Sequence, residues 1–255
     1  MPKSSPFYGD LAGKAVLVTG GASGIGASLV GAFCGQGARV GFLDIDAAAA
    51  EALIATLAKG GHTPAFLACD LRDAAAVTEA VTAMGERLGG LDILVNNAAR
   101  DDRQDIDALT PESWDESQAV NLRHFFFAAQ AALPFMRAAG GGAIVNFSSI
   151  AYLLNMGDIP AYATAKAGIV GLTRSLAGRL GPENIRVNCI LPGMIVTERQ
   201  KQLWLTEQSI ARMVERQCLK RALAPQDLVG PCLFLASSAS GGMTAQSIIV
   251  DGGAT

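Results

Sequence analysis

The chain is poor in charge, in aromatic residues and in histidine. Charged residues make up 17% and aromatics 6% of its 255 residues, and there are 2 histidines, His62 and His124. So little charge beside 50% hydrophobic residues, with a mean hydropathy of +0.32, excludes a disordered or solvating chain. With no His-Glu-x-x-His and no cluster of Cys and His, the usual zinc patterns are missing and no metal is expected. A basic excess is also missing: 20 Lys and Arg face 23 Asp and Glu, for a net charge of −3 and a pI near 5.4. That balance argues against a nucleic-acid partner. No uninterrupted run of apolar residues is long enough to span a membrane, and residues 1–14 lack the apolar stretch of a signal peptide. Cys34, Cys69, Cys189, Cys218 and Cys232 are an odd, scattered set with no Cys-x-x-Cys. They read as reduced, buried thiols, hence a cytoplasmic location.

Glycine, at 29 residues, and alanine are plentiful. Glycine marks turns and phosphate-facing loops, and small side chains allow close packing of helix on strand. Short apolar runs alternate with helical patterns. Strands are expected at residues 14–19, 39–43, 64–69, 91–95, 143–147, 185–190 and 247–250. Helices are expected from the glycine turn to 36, then at 46–59, 73–88, 111–138, 161–180 and 225–236, with Asp46 as an N-cap. Strands that are apolar throughout and alternate with helices imply a mostly parallel sheet covered on both faces. The expected fold is therefore α/β: one doubly wound Rossmann-type domain over 1–255 with seven strands. Residues 1–12 form an N-terminal extension, and about 193–222 a lid over the substrate. In such sheets ligands bind beyond the carboxyl ends of the strands. Each motif below falls at such an end or opens the following helix.

The first is Thr19-Gly20-Gly21-Ala22-Ser23-Gly24-Ile25-Gly26. Gly20, Gly24 and Gly26 permit a tight strand-to-helix turn and close approach of a pyrophosphate to the helix N-terminus. A glycine-rich turn can also be a plain connection, but Asp44 stands about 20 residues further on, at the end of the second strand. A carboxylate there can bind the ribose 2′- and 3′-hydroxyls and would repel a 2′-phosphate. No Lys or Arg lies in the loop or just after Asp44, so the cofactor reads as NAD rather than NADP. Asp70 and Leu71, after the third strand, could hold the adenine edge or form a solvated turn. Asn96 and Asn97, after the fourth, could line the crevice or lock their own loop.

Tyr162 and Lys166 form Tyr-x-x-x-Lys, a spacing that places both on one helix face. Ser149 lies just past the fifth strand, and Asn121 within the expected long helix. Free tyrosine titrates near pH 10, so use as a base at pH 7 needs a shift of about three units, or about 4 kcal/mol. One ammonium at about 4 Å, at an effective dielectric near 20, supplies about that much. The spacing is also that of an ordinary surface Tyr/Lys pair.

Together, Thr-Gly-x-x-x-Gly-Ile-Gly, Asn-Asn-Ala-Ala, Ser149 thirteen residues before Tyr162, Tyr-x-x-x-Lys and Pro192-Gly193 resemble the short-chain dehydrogenase/reductase family from Leu11 to Gly253. The resemblance implies Tyr162 as catalytic acid/base and Lys166 as the group that lowers its pKa and binds the nicotinamide ribose. It also implies that Ser149 orients the substrate oxygen and that Asn121 supports a water-linked proton relay. The cofactor set becomes Gly20, Ser23, Gly24, Ile25, Gly26, Asp44, Asp70, Leu71, Asn97, Tyr162 and Lys166, with Ile195 and Thr197 holding the carboxamide. Ala99 stands where the family usually has glycine and should shift the fit slightly. A homotetramer is implied too, with the long helices and Asp251-Gly252-Gly253 near interfaces; Phe125, Phe126 and Phe127 fit that or plain core packing.

Residues 100–104 (Arg-Asp-Asp-Arg-Gln) and 197–202 (Thr-Glu-Arg-Gln-Lys-Gln) are rich in hydrogen-bonding groups in a charge-poor chain. A polyhydroxylated ligand needs such partners, although solvated loops look the same. Trp204 could cover an apolar sugar face or anchor the lid. Residues 96–103, Trp114-Asp115-Glu116, residues 120–124, 197–200 and 217–220 resemble bacterial sugar dehydrogenases of the family, which oxidise C1 of aldoses to the lactone. The expected substrate contacts are Ser149, Tyr162, Asp102 and Gln104, the last replacing a common histidine. One rival is an oxidoreductase of another alcohol or ketone, such as a polyol or 3-oxoacyl compound. A second is a non-catalytic NAD-binding protein. A serine hydrolase is disfavoured, since no Gly-x-Ser-x-Gly occurs.

Overall fold

Seven strands form one sheet in the order β3-β2-β1-β4-β5-β6-β7, and every neighbouring pair is parallel. The structure is a computed structural model and describes residues 6–203 and 205–255. The strands are β1 (Ala15–Thr19), β2 (Arg39–Asp44), β3 (Ala65–Ala68), β4 (Ile93–Asn96), β5 (Gly142–Phe147), β6 (Ile185–Pro192) and β7 (Ser247–Val250). The central ones are short and wholly buried because both faces are covered, which is why they read as continuous apolar runs.

One face carries α1 (Gly24–Gly35), α2 (Ala47–Ala58) and α9 (Gln226–Ala236), and its core includes Leu29, Phe33, Phe42, Leu228 and Leu233. The other carries α3 (Ala74–Leu88), α5 (His124–Ala138) and α6 (Pro160–Leu180), around Val81, Met84, Ala132, Met136 and Leu180. Strand order reverses between β1 and β4, and the loops leaving their carboxyl ends part there to open a cleft. Helix starts are chemically marked. Asp46 accepts from Ala49 N at 2.9 Å, and Asp73 caps α3 through Ala75 N and Ala76 N.

Several expectations need correction. The expected helix at 111–138 is two helices, α4 (Pro111–Gln118) and α5, joined by a wider π-type turn at Ala119–Arg123. That turn carries Asn121, whose side chain is spent on a neighbouring loop, and π-type turns are common where a helix serves a site. Two helices were not foreseen: α7 (Glu198–Leu203) and α8 (Glu207–Arg216), the latter opened by a Thr206/Ser209 capping box. Residues 6–12 of the extension are docked on the body: Leu11 is buried, and Gln36 bonds Tyr8 N and Pro6 O. Cys218 is exposed, unlike the other four thiols, since its segment lies over the surface beside Gly253. Among the described residues no helix is long and apolar enough to cross a membrane, and no three His, Cys, Asp or Glu gather as a metal site.

Candidate active site

The cleft has a volume of about 470 Å³ and runs from the glycine turn after β1 to Tyr162 on α6. Gly20 has φ +65°, and a Cβ there would meet Ala98 Cα at 2.7 Å. A Cβ on Gly26 would stand 1.8 Å from the Gly20 carbonyl oxygen. Bare backbone therefore brings α1 against the turn, and side chains would fill the cradle. Ser23 caps α1 through backbone geometry alone, with no side-chain bond. The first-turn N–H groups of a twelve-residue helix are thus left for an anionic ligand. Gly20, Ser23, Gly24, Ile25 and Gly26 all line the cleft.

Asp44 lines it as well. Its Oδ2 accepts from Ala22 N at 2.9 Å and its Oδ1 from Asp46 N at 3.0 Å, so the carboxylate is aimed by the turn it faces. Asp70 and Leu71 lie further along the same wall. Asp70 is held below the usual carboxylate range by hydrogen bonds from Arg72. Arg72 is a cation in the cleft that reading around Asp44 overlooks, but it is shared between Asp70 and Glu116, each at 2.7 Å. Asn97 both lines the cleft and locks the loop: its Nδ2 donates to Thr19 O at 3.1 Å and Gly20 O at 3.0 Å. Thr197 lines the opposite side and hydrogen-bonds Gln200. Ile195 is instead a buried core residue, bridged to Leu223. Ala99 lies at the rim, exposed and without positive φ, so its methyl is accommodated without backbone strain.

The residues expected to act in chemistry gather at the far end. Lys166 is buried, donates to Phe147 O at 3.0 Å, and lies 5.4 Å from the ring centres of both Tyr162 and Phe125. Desolvation lowers its ammonium to about 8. Tyr162 is partly buried, and in the protein alone its phenol is pushed up rather than down. Burial is the larger cause and Asp101 the next, while a hydrogen bond with Ser149 and the charge of Arg103 pull the other way. Both groups are desolvated in the protein alone, which raises the phenol and lowers the ammonium together. Ser149 Oγ accepts from Ala151 N at 3.1 Å, which fixes its hydroxyl at the start of a short 3₁₀ turn. Ser148, not singled out in the sequence, donates to Lys166 O at 2.6 Å and buttresses α6.

Asn121 is fully buried, and its side-chain bonds go to Arg100 N and O and to Ser117 Oγ. Its amide is a clamp on the loop after β4. The two expected sugar contacts on that loop do not line the cleft. Asp102 is exposed and ion-paired with Arg100, and Gln104 is tied to the 158 loop by its backbone N, which donates to Asp158 O at 2.8 Å. Asp101, Arg199 and Gln200 line it instead. Their segments were legible as polar, but which side chain turned inward depended on loop conformation. Trp204 lies outside the described residues.

A family model described as enoyl-(acyl carrier protein) reductase, of the short-chain dehydrogenase type, matches residues 20–255. The chain belongs to the short-chain dehydrogenase/reductase family. It is an oxidoreductase acting on CH–OH groups, of a family that typically binds a nicotinamide cofactor. Residues 1–255 are 63% identical, over 254 positions and 99% of each chain, to the "probable galactose dehydrogenase" of Rhizobium meliloti strain 1021. They are 45% identical, over 98% of this chain and 99% of the other, to a D-xylose 1-dehydrogenase of Caulobacter vibrioides. The solved structure of a 7α-hydroxysteroid dehydrogenase with NADH and 7-oxo glycochenodeoxycholic acid superposes with a TM-score of 0.91 at 32% identity, covering 95% of this chain and 94% of that one.

Proposed function

We propose that this protein oxidises C1 of an aldose to the lactone with NAD. The observation that carries the reading is one continuous cleft: a phosphate cradle and Asp44 at one end, Tyr162 beside a polar wall of Asp101, Arg199 and Gln200 at the other. Relatives named galactose dehydrogenase and D-xylose 1-dehydrogenase support the same substrate class.

The glycine cradle and the α1 N-terminus would hold the pyrophosphate. Asp44 would accept from the ribose hydroxyls, and its charge disfavours a 2′-phosphate. Arg72, the nearby cation, is already neutralised by Asp70 and Glu116, which also favours NAD. The bound nicotinamide would supply the hydride acceptor. The anomeric hydroxyl would sit between Ser149 and Tyr162, Ser149 fixing its oxygen and Tyr162 taking its proton. Lys166 would stabilise the tyrosinate by charge, and a bound oxidised nicotinamide would supply further positive charge beside it. Asn121 serves by holding the loop that carries Asp101. Residues 193–222, with α7 and α8, would form the lid. We also propose a homotetramer in the cytoplasm: Phe126 and Ile249 are exposed apolar groups suited to an interface.

The test is NADH formation across aldoses, polyols and hydroxyacyl compounds, with Tyr162→Phe as the variant. A general acid/base contributes roughly 10²–10⁴-fold, so kcat should fall by about that factor while NAD binding, read by NADH fluorescence, persists. Full activity in Tyr162→Phe, or turnover of hydroxyacyl compounds but no aldose, would overturn the reading.

A further inference from the structure

Asp101 is the acid that the sequence passes over. It follows the Asn96-Asn97 turn, lines the cleft, and is partly buried. Of its two sequence neighbours, Arg100 also lines the cleft but is clamped by Asn121 through both backbone atoms, and its side chain pairs with Asp102, which is exposed. The clamp therefore decides that Asp101, not Asp102, points inward. Across the cleft, α7 brings Gln200, which hydrogen-bonds Asp101, and Arg199. On the floor lies Tyr162, close enough that the carboxylate acts on its phenol. An anionic acceptor held half-desolvated next to a proton-transfer group has a cost: burial pushes Asp101 above its usual carboxylate range. A residue serving structure alone would be better as asparagine.

We infer that Asp101 is a specificity-determining residue whose carboxylate accepts a hydrogen bond from the sugar hydroxyl on the carbon next to the reacting one. This rests on the aldose reading above. Asp101 and Tyr162 line the same cleft together with Arg199 and Gln200, so with Ser149 and Tyr162 on the reacting oxygen, the acceptor on the facing wall is left for a neighbouring hydroxyl. Gln200 holds one side of the carboxylate, so substrate selection is tied to the position of α7. Arg199 and Gln200 on α7 and Tyr162 on α6 line the cleft with Asp101, and the charges of Arg103 on its own loop and of buried Lys166 on α6 also act on or respond to it. Its charge opposes ionisation of Tyr162, so the same side chain trades some basicity of the phenol for recognition of the sugar.

The experiment compares kcat/KM for galactose and xylose with their 2-deoxy analogues in the parent, Asp101→Ala and Asp101→Asn. A hydrogen bond to a charged group predicts that the parent prefers the 2-hydroxylated sugar by roughly 10- to 150-fold. In Asp101→Ala that preference should collapse toward unity, mainly through KM. In Asp101→Asn, which keeps size and one acceptor oxygen, part of it should remain, and the rising limb of the kcat/KM–pH profile should move to lower pH. If the parent oxidises aldoses and both variants keep its 2-deoxy discrimination, the inference falls and the aldose reading stands. If the parent oxidises no aldose, both fall.

Discussion

Asn121 and Arg100 hold each other by two reciprocal hydrogen bonds: Arg100 N donates to Asn121 Oδ1 at 2.8 Å, and Asn121 Nδ2 donates to Arg100 O at 3.0 Å. The asparagine is placed by the π-type turn between α4 and α5, and the arginine sits one residue before Asp101. Helix and loop are thereby joined at backbone level. Asn121→Ala leaves a buried N–H and C=O without partners and should cost about 1–3 kcal/mol in urea unfolding. It should also raise KM for sugar more than for NAD, because the loop carrying Asp101 loosens while the glycine turn is untouched. Asn121→Asp retains the acceptor for Arg100 N and should recover part of the stability.

Asp44 has two duties that one substitution separates. Asp44→Ala removes the acceptor for Ala22 N and Asp46 N and the carboxylate proposed to bind the ribose. The NAD Kd should rise about tenfold or more, and preference over NADP should shrink. Competitive titrations with both nucleotides check this; an unchanged NAD/NADP ratio would show that selection lies elsewhere.

His124 begins α5, is fully buried and stacks on Phe125 with ring centres 4.5 Å apart. Burial first, and the charge of Lys166 second, hold it down at about 3 against an ordinary 6.5, with backbone at Ala98 and Val120 pulling the other way. Between these values the unfolded chain binds a proton that the folded chain does not, so stability rises with pH across the window and is lost on acidification from 6.5 toward 3. His124→Phe should flatten that limb in thermal midpoints taken from pH 7 to pH 4, relative to the parent. Parallel curves would exclude His124 as a source of acid lability.

The fold was legible because each level of the sequence agreed. Apolar runs such as residues 14–19 can only be strands buried on both faces, and Asp46 and Asp73 mark helix starts by the same chemistry that caps them. The glycine turn was legible for a related reason: glycines at 20 and 26 answer to a backbone geometry that few other residues meet. The side chains that the loop after β4 turns into the cleft were not. Asp101 and Asp102 are chemically identical in the sequence, and a reciprocal bond from a residue twenty positions away sorts them. The π-type turn was hidden as well, since the apolar pattern on either side of it still has the helical period and only its phase changes. The burial of Tyr162 and Lys166 was hidden too: spacing reveals that the two share a helix face but not how far each is desolvated.

A row of polar side chains crosses the middle of the sheet at its carboxyl edge. Thr19, Asn96 and Asn146 lie level with one another on β1, β4 and β5; Asn96 Nδ2 donates to Asn146 Oδ1 at 3.0 Å, and Asn146 Nδ2 to Thr173 Oγ1 at 3.0 Å. Strands apolar on both faces have no alternation by which to tell one alignment from the next. The row acts as a ruler. Sliding β4 by a single residue would strand a carboxamide among valines and leucines, and the mismatch would repeat in β5 and α6. The glycine turn and the loop that carries Asp101 both depart from that line, so their relative heights are set before any ligand arrives.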